Sequence, residues 1–120
     1  MKVAITSSGE GLDSPVDPRF GRAAKFILID TETDSVQVVD NTQNLNAAQG
    51  AGIQAAQNVS RLGAEVLMTG HCGPKAFAAL RAAGIQVITG VQGTVAEAVE
   101  RFRRGELAPA EAPNVEGHWM

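Results

Sequence analysis

The run Met68-Thr69-Gly70-His71-Cys72-Gly73-Pro74-Lys75-Ala76-Phe77 holds the only cysteine of the chain, in a glycine-flanked turn between an apolar strand and a helix that Pro74 opens. A thiol just before a helix N-terminus meets backbone N–H groups and the positive end of the helix dipole, which favour a thiolate and a bound anion alike. The competing reading is a small buried hydrophobe at a strand end, since free cysteines are often buried. His71 beside it is either a ligand type or a structural histidine that hydrogen-bonds. If the chain is extended there, neighbouring side chains point to opposite sides, so His71 and Cys72 do not chelate one ion together.

A second cluster is Leu12-Asp13-Ser14-Pro15-Val16-Asp17-Pro18-Arg19-Phe20-Gly21-Arg22, with two prolines and two arginines in one loop. Arg19 and Arg22 offer fixed guanidinium donors to an anionic ligand. They are alternatively ion-pair partners of Asp13 and Asp17. Gly50-Ala51-Gly52-Ile53-Gln54-Ala55 imitates a dinucleotide fingerprint, but it follows the polar stretch Asn41 to Gln49 and not a strand. No acid closes a strand about 20 residues on, so its small residues read as close helix–sheet packing. Gly70 to Lys75 lacks the glycine spacing and the following Ser or Thr of a Walker A loop. A nuclease needs carboxylates converging on Mg²⁺, one of them on the first strand, and Lys2 to Ser7 carries none. His118, beside Trp119 and Met120, falls in a terminal stretch expected to be disordered.

These residues need a scaffold. Lys2 to Ser7 alternates as a first strand. Lys25 to Asp30 and Ser35 to Asp40 flank Thr31-Glu32-Thr33-Asp34 as an antiparallel hairpin. Ile53, Ala56, Val59 and Leu62 recur at three-residue steps, which predicts an amphipathic helix from Gly50 to Leu62 closed by Gly63. Glu65 to Met68 follows as a short buried strand. A helix then begins at Pro74 and ends at Gly84, Gln86 to Ile88 forms another strand, and Thr94 with Glu97 caps a last helix through Arg104. Alternating strands and helices in the second half make parallel strands through right-handed crossovers. The fold class is therefore α/β, a mixed sheet with an N-terminal antiparallel hairpin and C-terminal parallel β-α units, flanked by helices. Ligands of such sheets gather at the carboxyl ends of the parallel strands. The loop after the first strand, Thr69 to Pro74 and Thr89 to Gly93 are expected to converge there.

With 120 residues and 44% hydrophobic content, the chain suits one domain, expected over residues 1–105 with a tail at 106–120. A net charge of −3, with ten scattered Lys and Arg, forms no basic stripe for a phosphate backbone. Four Phe, one Trp and no Tyr leave little surface for base stacking, so no nucleic-acid partner is expected. No apolar run approaches the roughly 20 residues that span a bilayer, and the strand-like opening has no signal-peptide h-region. No membrane association and a cytoplasmic location are expected. One cysteine supplies neither an intramolecular disulfide nor the four thiolates of an iron–sulfur cluster.

Together, Asp17 to Ala23, Asn41 to Gln54 and Gly70 to Phe77 make the chain, from about Met1 to Arg104, resemble the dinitrogenase iron-molybdenum cofactor biosynthesis family. The resemblance implies a ribonuclease H-like fold without nuclease activity. It further implies a non-enzymatic carrier of metal–sulfur cofactor precursors. Among small stand-alone members the chain is most similar to one that holds a molybdenum–copper sulfide cluster non-covalently; an iron–molybdenum–sulfur precursor is the alternative cargo. The candidate cofactor-binding set is Arg19, Phe20, Arg22, Gly70, His71, Cys72, Gly73 and Lys75, with Cys72 as a possible metal ligand. Nitrogenase-associated members often carry histidine before the Phe-Gly pair. Arg19 stands there in this chain, and guanidinium neutralises a polyanion instead of ligating a metal. A different reading is a regulatory interaction module partnered with a nucleotide-dependent ATPase.

Overall fold

A computed structural model describes residues 1–41 and 51–112. The elements are β1 (Lys2–Ser7), β2 (Lys25–Asp30), β3 (Val36–Asp40), α1 (Ala51–Arg61), β4 (Val66–Met68), α2 (Pro74–Ala82), β5 (Gln86–Ile88) and α3 (Val95–Arg103). They form a mixed five-stranded sheet of order β3-β2-β1-β4-β5 flanked by three helices. β1 pairs antiparallel with β2 and parallel with β4, so it is where the hairpin half meets the β-α half. β4 and β5 are parallel, as the crossover rule requires.

The two-residue period of β1 decides its place. Ala4 belongs to the core under α1 and α2, with Phe26, Leu28, Leu67 and Val87. Val3 and Ile5 face the other core, with Ile27, Ile29, Met68, Ile88 and the Val95 and Ala98 face of α3. A strand buried on both sides stays in the sheet centre. The edge strand β3 keeps Val36 and Val38 exposed.

Local signals set the element ends. Gly63 and Gly84 take the left-handed conformation after α1 and α2, at φ +80° and +79°. Thr94 Oγ1 accepts the Glu97 N–H at 3.1 Å while Glu97 Oε1 accepts the Thr94 N–H at 2.9 Å, a complete capping box on α3. Asp34, at φ 61°, makes the hairpin turn possible as a non-glycine left-handed residue. The expected polar loop Asn41 to Gln49 lies outside the described residues apart from Asn41, as do Gly50 and His118. Beyond α3, Leu107 packs against the α3-side core, and the Ala110 N–H donates to the Val87 carbonyl at 2.7 Å, laying this segment along β5. Among the described residues no helix is long and apolar enough to cross a membrane.

Candidate functional site

The carboxyl ends of β1 and β4 are adjacent because the two strands pair in register, Ile5 beside Met68. The chain leaving β1 loops out and returns through Val16 and Asp17. Asp17 N–H donates to the Thr6 carbonyl at 2.9 Å, and Val16 N–H donates to Gly93 O at 2.9 Å. The loop is thereby laced to the sheet end and to the approach to α3, and its Leu12 carbonyl also accepts the Ala96 N–H of α3 at 2.8 Å. All three expected loops converge here: the Thr69 N–H bonds Ile88 O, and the Gly90 N–H bonds Gly70 O at 2.8 Å.

Arg19 and His71 form a parallel bridge, with His71 N–H donating to Pro18 O at 2.7 Å and Phe20 N–H donating to His71 O at 3.2 Å. Gly70 is essential to that contact. A Cβ there would lie 2.7 Å from Pro18 Cα and 2.9 Å from Pro18 O, distances that backbone cannot yield. Burial alternates along both segments. Arg19 is exposed and His71 half-buried, whereas Phe20 and Cys72, one residue on, have no exposed surface and share the core under α1 and α2. Phe20 stacks obliquely on Phe26 at 5.8 Å between ring centres.

Of the two readings of Cys72, the structure matches the buried hydrophobe at a strand end and not the activated thiol at a helix start. Burial pushes its thiol up to about 12, and its Sγ lies 3.8 Å from the Gly73 carbonyl oxygen as a weak donor. Desolvation of the thiolate outweighs the helix dipole, because the dipole acts through about half a charge while a dry environment removes the whole hydration shell. For Asp17 the structure bears on the ion-pair alternative. Its carboxylate accepts the Arg19 backbone N–H at 3.0 Å, and among the described residues no ion pair joins Arg19 to Asp13 or Asp17. Gly52 packs on Ala76 of α2, where a Cβ would stand 3.0 Å from the alanine methyl. Its small size thus serves a helix–helix contact, not the expected helix–sheet one, and brings the first turns of α1 and α2 together at this end.

Helix α2 starts from Gly73, which has no side chain to cap it, and Pro74 and Lys75 in the first turn are exposed. Arg22 is half-buried. This end of the sheet thus carries a helix start without a side-chain cap, the exposed Arg19 and Lys75, and a buried Cys72, groups whose chemistry suits an anion better than a bare metal ion. Among the described residues no three His, Cys, Asp or Glu side chains converge as a metal site. Sequence reasoning missed the buried Thr6 and Thr69, whose hydroxyls lie 2.9 Å apart beneath the loops. The available signal was a threonine at the carboxyl end of each of two otherwise apolar parallel strands. Among the described residues, surface concavities of about 630 and 230 Å³ lie along α3 and one of about 260 Å³ between α1 and α2, away from this end of the sheet.

Residues 1–105 match the family described as dinitrogenase iron-molybdenum cofactor. The chain belongs to that family. Among solved structures, the apo form of the orange protein from Desulfovibrio gigas is 49% identical over 95% of this chain and 96% of its own, with a TM-score of 0.93. A candidate NifB protein from Thermotoga, solved by NMR, is 42% identical over 90% of this chain and 91% of its own, at TM-score 0.79. An uncharacterized protein of Methanocaldococcus jannaschii is 26% identical over 114 residues, covering 92% of each chain.

Proposed function

We propose that this protein is a non-enzymatic carrier of an anionic molybdenum-containing metal–sulfur cluster, of the molybdenum–copper sulfide type, held largely without covalent bonds. The observation that carries this reading is the Arg19–His71 backbone bridge, which brings the exposed Arg19 alongside the turn that leads, two residues after His71, into the start of α2 without a side-chain cap. The family match and the likeness to the orange protein support a metal–sulfur cargo. Arg19 and Arg22 neutralise its charge, Gly70, Gly73 and Lys75 lie where N–H donors and a cation are needed, and His71 completes the rim. Phe20 and Cys72 form the apolar floor, with Cys72 the candidate ligand if the cluster displaces its proton. An iron–molybdenum–sulfur precursor satisfies the same electrostatics. The sheet order β3-β2-β1-β4-β5 supports the ribonuclease H-like designation, and we place the carrier in the cytoplasm, its binding domain at residues 1–105 and its tail at 106–120, with Leu107 and Ala110 at the start of that tail packed on the domain.

Anaerobic reconstitution of the apo-protein with tetrathiomolybdate and copper, followed by desalting, tests the reading by visible absorption and metal analysis. Wild type is expected to retain colour with molybdenum and copper in fixed ratio. Arg19→Ala is expected to lose most of it, and Cys72→Ala to retain it. Loss in Cys72→Ala alone would make the sulfur a ligand, and a colourless, metal-free wild type would overturn the carrier reading in favour of a protein partner such as an ATPase.

A further inference from the structure

We infer that the Thr6–Thr69 hydroxyl pair is a positioning element that holds the Arg19 segment in register with the His71 turn. For its functional consequence this rests on the carrier reading above. Both threonines are fully buried at the carboxyl ends of β1 and β4, where valine would suit an apolar strand equally well. A buried hydroxyl persists at such a place only when it is hydrogen-bonded. The Thr6 hydroxyl donates to the Asp17 carbonyl at 2.7 Å and lies 2.9 Å from the Thr69 oxygen. Thr6 has one proton, which goes to Asp17, so the Thr69 hydroxyl donates to Thr6.

Asp17 is consequently tied to β1 twice, through its N–H on the Thr6 carbonyl and through its own carbonyl on the Thr6 hydroxyl. From this anchored residue two bonds lead into the site. The Asp17 carboxylate accepts the Arg19 N–H, and the next carbonyl, that of Pro18, accepts the His71 N–H. Without the Thr6 hydroxyl, the buried Asp17 carbonyl loses this partner and the loop relaxes outward to find another. Thr69, one residue before Gly70, ties the second segment to the same point. The pair thus acts through Arg19 and does not itself meet the ligand.

The test compares Thr6→Val, which removes the hydroxyl at nearly constant shape, with Thr6→Ser, which keeps it, in wild-type and Arg19→Ala backgrounds. In the apo-protein, Thr6→Val is expected to speed hydrogen exchange of the His71 and Phe20 amides about tenfold while amides of the β1–β2 ladder keep their rates, and Thr6→Ser to restore protection. In titrations with tetrathiomolybdate and copper, Thr6→Val is expected to weaken binding about tenfold when Arg19 is present and by less than about threefold in Arg19→Ala. Unchanged exchange in Thr6→Val, failure of serine to rescue, or an equal affinity loss in both backgrounds would overturn the positioning role. If wild type binds no cluster, the carrier reading falls, and exchange alone decides whether the pair positions the segment. Should Thr6→Val not fold, Thr6→Ala against Thr6→Ser provides the same comparison, since it too removes the hydroxyl that Asp17 accepts from.

Discussion

Cys72 shows how one residue type is decided by its surroundings. Its thiol is raised from 9.0 to about 12 by burial, so at pH 8 only on the order of one molecule in 10⁴ carries a native thiolate. Alkylation by iodoacetamide is expected to be slow in the native protein and to accelerate by orders of magnitude in denaturant, as mass spectrometry over time would reveal. The linkage follows the same shift. Between pH 9 and 12 the unfolded chain has released a proton that the native chain still holds, so stability falls with rising pH at up to about 1.4 kcal/mol per pH unit. Cys72→Ala is expected to flatten that fall in denaturant melts across the range. Gly70 is constrained by space instead of charge. With Pro18 backbone under 3 Å from its would-be Cβ, Gly70→Ala is expected to lower stability by about 1–3 kcal/mol and to disturb the Arg19–His71 bridge, visible as shifted amide resonances of both residues.

Among the elements, α2 and α3 begin in opposite ways. The α3 start is closed on itself by Thr94 and Glu97, whereas α2 starts from glycine and proline without a side-chain cap. Thr94→Ala is expected to cost about 1 kcal/mol in urea unfolding, the usual worth of a cap. The hydrogen bond with the Thr94 backbone holds the Glu97 carboxyl below its ordinary value. Its share of the capping box is therefore present above the ordinary carboxylate pKa and fades as pH falls through the depressed one. Glu97→Gln and wild type are expected to converge in stability at low pH, where urea melts of the two would coincide. An engineered cap on α2, Gly73→Asp, would place a carboxylate where the proposed anion sits. It is expected to keep the protein folded while abolishing colour in the reconstitution assay.

At the scale of the whole molecule, two cores share one sheet, and the chain after α3 joins them. Leu107 packs on the α3-side core, Ala110 on the other, and the Arg81 guanidinium donates to the Ala110 carbonyl at 3.4 Å. A chain ending at Gly105 is expected to unfold about 1–2 kcal/mol more easily than one ending at Ala112, because it loses half-buried Leu107 and the bond on Val87. Equal urea midpoints for the two chains would show that this segment adds nothing to the fold.

The features legible from residue order are local: the period-2 runs of β1 and β2, the three-residue steps of α1, proline at the start of α2, left-handed glycines after two helices, and the Thr94–Glu97 box. Each depends on neighbours a few residues away, so element bounds emerged within one or two residues. The convergence of the three loops was also legible, because strand direction in alternating β-α units follows from chain chirality. Tertiary structure alone decided the rest. Which side of the Arg19 and His71 segments faces inward depends on a backbone bridge across 52 positions, from residue 19 to residue 71. The neutral thiol depends on a core assembled from β1, β2, α1 and α2, and the threonine pair on two strands far apart in sequence. Desolvation and hydrogen bonding are set by what surrounds a group in space, and no local pattern of residue types specifies that.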